Sequence, residues 1–173
     1  MNPPRDVWAK AFAIQARSDF TIYRKLLGES DVAACHRLHY LQMATEKIAK
    51  AYRIRDTTTS EEVLRSHVGF SKFISSFVLS PPLKLEYKGK QAQLRGLLRD
   101  AKMLAGAIEK LAPAIAPDQT PQNTEYPWQE GESVIAPCRY SFPNLSMLNE
   151  SGGRTFLKLI ERALRDFEAI QLA

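Results

Sequence analysis

Asp31-Val32-Ala33-Ala34-Cys35-His36-Arg37-Leu38-His39-Tyr40-Leu41-Gln42-Met43-Ala44-Thr45-Glu46-Lys47-Ile48-Ala49-Lys50-Ala51-Tyr52 is the stretch that decides the fold. Ala34, Leu38, Leu41, Thr45, Ile48 and Tyr52 recur at alternating steps of four and three, which is one face of an α-helix packed along its length. Ala44, Ala49 and Ala51 border that stripe and let neighbouring helices come close. Across the wheel lie His39, Gln42, Glu46, Lys50 and Arg53, a polar face with Glu46 and Lys50 at the favourable i,i+4 spacing. Asp31 is positioned to N-cap this helix, since its carboxylate can accept an orphan backbone N–H.

The same period extends outward in both directions. A first helix is expected from about Asp6 to Leu27, with Val7, Ala11, Ile14, Phe20, Tyr23 and Leu27 as its apolar positions and Gly28 as its stop. After the loop Thr57-Thr58-Thr59-Ser60, Thr59 and Glu62 read as a capping box. A third helix then runs to about Leu79 with Val63, Phe70, Ile74 and Phe77 on one face, and Pro81-Pro82 ends it. Leu83 to Gly89 reads as a connector with a short extended piece. A fourth helix spans about Gln91 to Leu111, and a fifth about Gly153 to Ile170. Between them, residues 113–147 hold six of the ten prolines. Tyr126, Trp128, Val134, Ile135, Tyr140 and Phe142 make this strap too apolar to lie free in water. Gln129-Glu130-Gly131-Glu132 is suited to a small hairpin turn within it. The expectation is one domain over residues 1–173, all-α, an up-and-down bundle of four or five helices with a Pro-rich strap at about 113–150.

Composition bounds the function classes. With 45% hydrophobic and 25% charged residues, the chain is that of an ordinary globular protein. Met1-Asn2-Pro3-Pro4-Arg5-Asp6 lacks the order of a signal peptide, and no apolar run approaches the ~20 residues of a membrane span. A cytoplasmic location with free thiols at Cys35 and Cys138, and no membrane contact, is expected. Charge is uneven: residues 31–110 hold 14 Lys/Arg against 8 Asp/Glu, whereas 113–150 hold one Arg against five Asp/Glu. A basic body carrying an acidic strap can attract phosphates, although a solvated Lys/Arg surface offset by its own acidic loop gives the same numbers.

His39-Tyr40-Leu41-Gln42-Met43-Ala44-Thr45-Glu46-Lys47-Ile48-Ala49-Lys50-Ala51-Tyr52 resembles the central helix of HEPN domains, which typically reads Gln-x-Ala-x-Glu-Lys-x-x-Lys-Ala. Ser18 to Leu27 is similar to that family's first helix. His67 stands where many members carry a histidine, and Cys138-Arg139-Tyr140-Ser141-Phe142-Pro143 is similar to the Arg-Tyr-Pro phrase before their final helix. The resemblance implies a helical bundle, often a homodimer, linked to nucleotides or RNA. Some members are RNases of toxin–antitoxin or defence systems, and others are non-catalytic partners of small nucleotidyltransferases. The RNase members carry an Arg followed by four to six residues and then a His, so the Arg stands five to seven positions ahead. Here the corresponding residues are Ser60, Glu61 and Glu62 before His67, Val32, Ala33 and Ala34 before His39, and Glu29, Ser30 and Asp31 before His36. None is Arg, so the nuclease motif is absent.

The candidate site residues follow from these patterns. Glu46, Lys47 and Lys50 are candidates for a nucleotide phosphate or a partner helix, because the resemblance falls on them. Their alternative is a solvated face. Arg95, Arg99 and Lys102 form a basic row at i, i+4 and i+7 that suits a phosphodiester backbone but has no interleaved aromatic for base stacking. Arg139, the one cation of the strap, can tie it to Glu130 or Glu132 or present its fork to a phosphate. His67 and His39 are the acid/base candidates of a divergent, metal-independent RNase in which Arg139 steadies the phosphorane. His36 and His39 lack further ligands at metal spacing, so no metal and no cofactor is expected. The preferred expectation is a non-catalytic binding module for a protein or for a nucleotide or RNA phosphate. A divergent RNase and a structural, oligomerising protein are the alternatives.

Overall fold

A computed structural model describes residues 3–56, 58, 69–113 and 121–169. The described chain is an all-α bundle with one two-stranded hairpin. Its elements are α1 (Arg5–Leu26), α2 (Ala34–Arg55), α3 (Phe70–Val78), α4 (Pro81–Glu86), α5 (Gln91–Glu109), β1 (Trp128–Glu130), β2 (Ser133–Ile135) and α6 (Ser151–Ala169). Two 3-10 segments, Pro137–Arg139 and Pro143–Asn149, precede α6. No helix among the described residues is long and apolar enough to cross a membrane.

α2 is the axial helix. Leu38, Leu41, Thr45 and Ile48 of the expected stripe are buried, and so are Ala44, Ala49 and Ala51 beside it. Its side opposite the stripe is covered as well: Gln42 is buried, and Glu46 and Lys50 have side chains only 12% exposed. The face read as a binding surface, with a solvated face as its alternative, is an interior polar seam, because α1 lies over it. Asp31 does not cap the helix, whose N-cap is Ala33. The amide of Val32 is taken up by the carbonyl of Glu29 in a turn that sets Asp31 outside.

α1 buries Ala9, Ala13 and Ala16 together with Phe20 and Tyr23. Of the apolar positions expected to be core, Val7, Ala11, Ile14 and Leu27 are exposed, and Ile14 is 69% so. Small residues won this face because α1 and α2 approach closely, and alanine lets two backbones meet where larger side chains hold them apart. α6 runs antiparallel to α1, with Arg17 on Glu168 and Arg24 on Glu161. Against α2 it is fixed by the Tyr52 hydroxyl donating to the Ala163 carbonyl (2.9 Å), and the Arg55 guanidinium lies 3.6 Å over the Phe167 ring.

The capping box at Thr59 and Glu62, with Val63 and His67, lies outside the described residues. Within them α3 starts afresh at Phe70 after Gly69, whose φ of 154° suits glycine and where a Cβ would strike the Arg53 guanidinium. Phe70, Ile74 and Val78 are its buried face. Glu109, from the end of α5, accepts the amides of Gly69 (2.7 Å) and Ser71 (3.0 Å) and so caps α3 from outside. Pro81 and Pro82 do follow the end of α3, but they open α4, where a missing N–H costs nothing. The expected extended piece is thus helical as far as Glu86, and Arg162 of α6 grips it there.

The hairpin expected in the strap is present: Trp128 pairs with Ile135 and Glu130 with Ser133, with Gly131 at φ 60° in the turn. The buried Asn123 organises the approach to it. Its Oδ1 accepts the amides of Glu125 (2.9 Å) and Tyr126 (2.7 Å), and its amide donates to the carbonyls of Pro121 and Tyr126. Trp128, Tyr140 and Phe142 then stack edge to face at 5.1 and 5.0 Å. Gly153 is buried where any Cβ would collide with the backbone of Met147 and Leu148, which lets α6 begin directly against the second 3-10 segment.

Candidate functional site

The seam between α1 and α2 gathers the residues on which the sequence resemblance falls. Lys47 Nζ lies 2.6 Å from Asp19 Oδ2, and Gln15 donates to the other oxygen of that carboxylate at 3.0 Å. Lys50 Nζ lies 2.7 Å from Glu46 Oε1, Gln42 donates to Glu46 Oε2 at 2.9 Å, and the Lys50 amine sits 5.9 Å over the Phe12 ring. Each ammonium thus already meets a carboxylate, and each carboxylate meets an amide. Chemically this is a closed, neutralised network. It can orient α1 on α2, but it offers an incoming phosphate no free cation.

His39 stands at the edge of α2 beneath the strap, with Nδ1 3.5 Å from Thr124 Oγ1 and 3.7 Å from Glu125 Oε1. His36 is exposed on the same helix, and His67 lies outside the described residues. Arg139 is exposed in the 3-10 segment Pro137–Arg139, which packs against α2. It makes no ion pair among the described residues, so the expected tie to Glu130 or Glu132 is not formed. The hairpin points both carboxylates outward, and the strap is held by Asn123 and its aromatic stack in place of an ion pair. Cys35 is buried and Cys138 exposed. Burial, and then the nearby Cys138, push the Cys35 thiol pKa up. No group of three or more His, Cys, Asp or Glu side chains suited to a metal occurs among the described residues.

The accessible cations lie elsewhere. Arg95, Arg99 and Lys102 share the solvent face of α5, opposite the buried Leu94, Leu97, Ala101 and Leu104. Arg99 has only its neighbour Asp100 for a partner (2.9 Å) and keeps 77% of its side chain exposed. Arg95 and Lys102 have no ion-pair partner among the described residues. Lys84, Lys88 and Lys90, in α4 and the turn before α5, are likewise exposed and unpaired among the described residues. Sequence reading passed over these three inside a connector. Their spacing against a single Glu86 was the available signal. It read Tyr23 only as an apolar position and did not single out Arg37, because nothing local marks two residues that come to line one cleft only through the fold. Comparison with family models, with curated proteins and with solved structures finds no match to this chain.

Proposed function

We propose that this chain is a HEPN-like, non-catalytic binding module of the cytoplasm that engages an RNA phosphate backbone through the exposed face of Lys84, Lys88, Lys90, Arg95, Arg99 and Lys102. One observation carries the reading: these cations are exposed and, apart from Arg99 beside Asp100, have no ion-pair partner among the described residues, whereas Lys47 and Lys50 are committed to carboxylates. Unpaired surface cations release condensed counterions from a nucleic acid, and that release drives sequence-independent binding. The missing Arg-x(4–6)-His spacing is why binding is preferred to cleavage. A nucleotidyltransferase partner belongs to the same proposal and rests on the resemblance alone.

The test is fluorescence anisotropy with a labelled single-stranded RNA across a salt series. Six engaged cations give a slope of log K against log salt of about −4.2, at about −0.7 per phosphate. Arg95→Glu with Lys102→Glu then weakens binding and flattens the slope by about 1.4. Equal binding by that double variant would refute the assignment. RNA cleavage in the same samples, lost on His39→Ala or Arg139→Ala, would establish the RNase alternative.

A second reading, self-association into a homodimer, is favoured by the uncovered apolar side of α1, where Val7 and Trp8 are 52% and 51% exposed beside Ile14. Trp8→Glu should turn a dimer into a monomer in light scattering. A wild-type chain that is monomeric at high concentration removes this reading.

A further inference from the structure

Between the C-terminal half of α1, the start of α2 and the second 3-10 segment lies a cleft of about 140 Å³ that the proposed RNA face does not include. Tyr23 of α1, Arg37 of α2, Ser141 of the strap, and Ser146 and Asn149 of the second 3-10 segment are its polar lining residues. Tyr23 is only 3% exposed, and its hydroxyl has no hydrogen-bond partner among the described residues. Among the described residues Trp128 Nε1, which lies in the strap and not in this cleft, is the one side-chain polar atom that is both sealed and unpartnered, so the Tyr23 hydroxyl keeps an opening, and the cleft lies beside it. Arg37 likewise has no ion pair or hydrogen bond among the described residues. Ala34, the first residue of α2, also lines the cleft, and no side chain caps that 22-residue helix, so its positive end opens here. Phe142, at the rim, is the only non-glycine residue with positive φ among the described residues (φ 50°, ψ 60°). Such backbone conformations concentrate at ligand sites.

We propose that this cleft binds a small phosphomonoester, with the phosphoryl group between Arg37 and the Tyr23 hydroxyl and a short carbon tail against Leu38 and Leu145. The charge is of the right sign: burial pushes the Tyr23 hydroxyl pKa up, while Arg37 and then Arg24 pull it down, so both guanidiniums lie within electrostatic reach of that oxygen. Arg24 is spent on Glu161, which leaves Arg37 to bind. Polar residues of α1, α2, the strap and the second 3-10 segment line the cleft. That arrangement suits a tetrahedral group with several acceptor oxygens better than a planar carboxylate, which a single guanidinium fork satisfies. The volume falls well below the roughly 300–1,000 Å³ of a drug-sized site, which suits a phosphoryl group with a few carbons better than a whole nucleotide.

The experiment titrates the full chain with glycerol 3-phosphate, inorganic phosphate and glycerate, read by calorimetry and by 1H–15N spectra that include the arginine side chains. Glycerol 3-phosphate is expected to bind more tightly than either other probe and to shift the Arg37 Nε–H resonance and the Ser146 to Asn149 amides. Arg37→Gln should weaken it at least about tenfold and Tyr23→Phe several-fold. Tyr23→Phe keeps the buried ring, so its fold is preserved. Arg95→Gln should leave the affinity unchanged, which separates this site from the RNA face. Equal binding by glycerate overturns the phosphate assignment, and equal binding by inorganic phosphate overturns the tail. An Arg37→Gln chain that binds like wild type, or an absence of shifts at these residues, overturns the site.

Discussion

Replacing Lys47 by Met keeps the length and apolar stem of the side chain but strands the carboxylate of Asp19. That carboxylate is 5% exposed and would be left with the Gln15 amide as its remaining donor. Breaking a fully buried pair costs about 3–5 kcal/mol, and a charged hydrogen bond about 1.5–3. Gln15 survives and the pair sits near the rim of the seam, so the loss expected here is about 2–3 kcal/mol. For a chain of this size that lowers Tm by roughly 4–12 °C. Asp19→Leu should cost less, about 1–2 kcal/mol, because the long lysine stem can carry its ammonium to water. The double variant, Asp19→Leu with Lys47→Met, replaces the pair by an apolar contact and should fall within about 1 kcal/mol of wild type. Urea unfolding followed by circular dichroism measures all three, and 1 M salt should change little because a part-buried pair is weakly screened. Additive single costs in the double variant would refute the coupling, and with it the view that this face of α2 is an interior seam. RNA binding should survive Lys47→Met untouched.

The Tyr52 hydroxyl is pushed up to about 12, first by burial and then by Asp166, with Arg55 opposing. Its folded pKa lies above the unfolded value, so its contribution is complete below about pH 10 and is lost as pH rises toward 12. Alkaline melts should therefore show a falling limb that Tyr52→Phe reduces, and an equal limb in the variant would contradict this. Glu109→Ala uncaps α3 and should cost about 1–2 kcal/mol, with hydrogen exchange at Gly69 and Ser71 rising before any global change. Gly153→Ala drives a methyl into the Met147 carbonyl and Leu148, and should cost about 1–3 kcal/mol in chemical denaturation. A neutral result would mean the 3-10 segment is free to shift.

α2 was legible in advance because its stripe is unbroken and its alanines advertise close neighbours. α1 was half legible. Its sequence carries two superimposed stripes, Ala9-Ala13-Ala16 and Val7-Ala11-Ile14, and hydrophobicity favours the second whereas close approach of two backbones selects the first. Pro81-Pro82 was ambiguous for a physical reason: a residue without an N–H both stops one helix and starts another. The hairpin could be foreseen from Gly131 between apolar groups. So could the Glu46–Lys50 pair, from its i,i+4 spacing; the partner of Lys47 could not, since Asp19 stands 28 residues away and only the fold brings them together. The sequence therefore suggested that charge would matter and misjudged which charges remain free. The cleft at Arg37 was invisible for the same reason.

The grip of α6 on the first two helices has a consequence for the order in which the molecule can assemble. Its bonds span long separations, 137 residues from Arg24 to Glu161 and 111 from Tyr52 to Ala163. During synthesis α1 and α2 emerge as a local hairpin that can zip early. The side of α2 meant for Phe167 and Ala163 then stays open until α6 has been made. A nascent chain paused before Ser151 would hold Tyr52 against Phe73 and Phe77 but without its Phe167 and Ala163 cover, which makes that interval one in which a chaperone would find this protein.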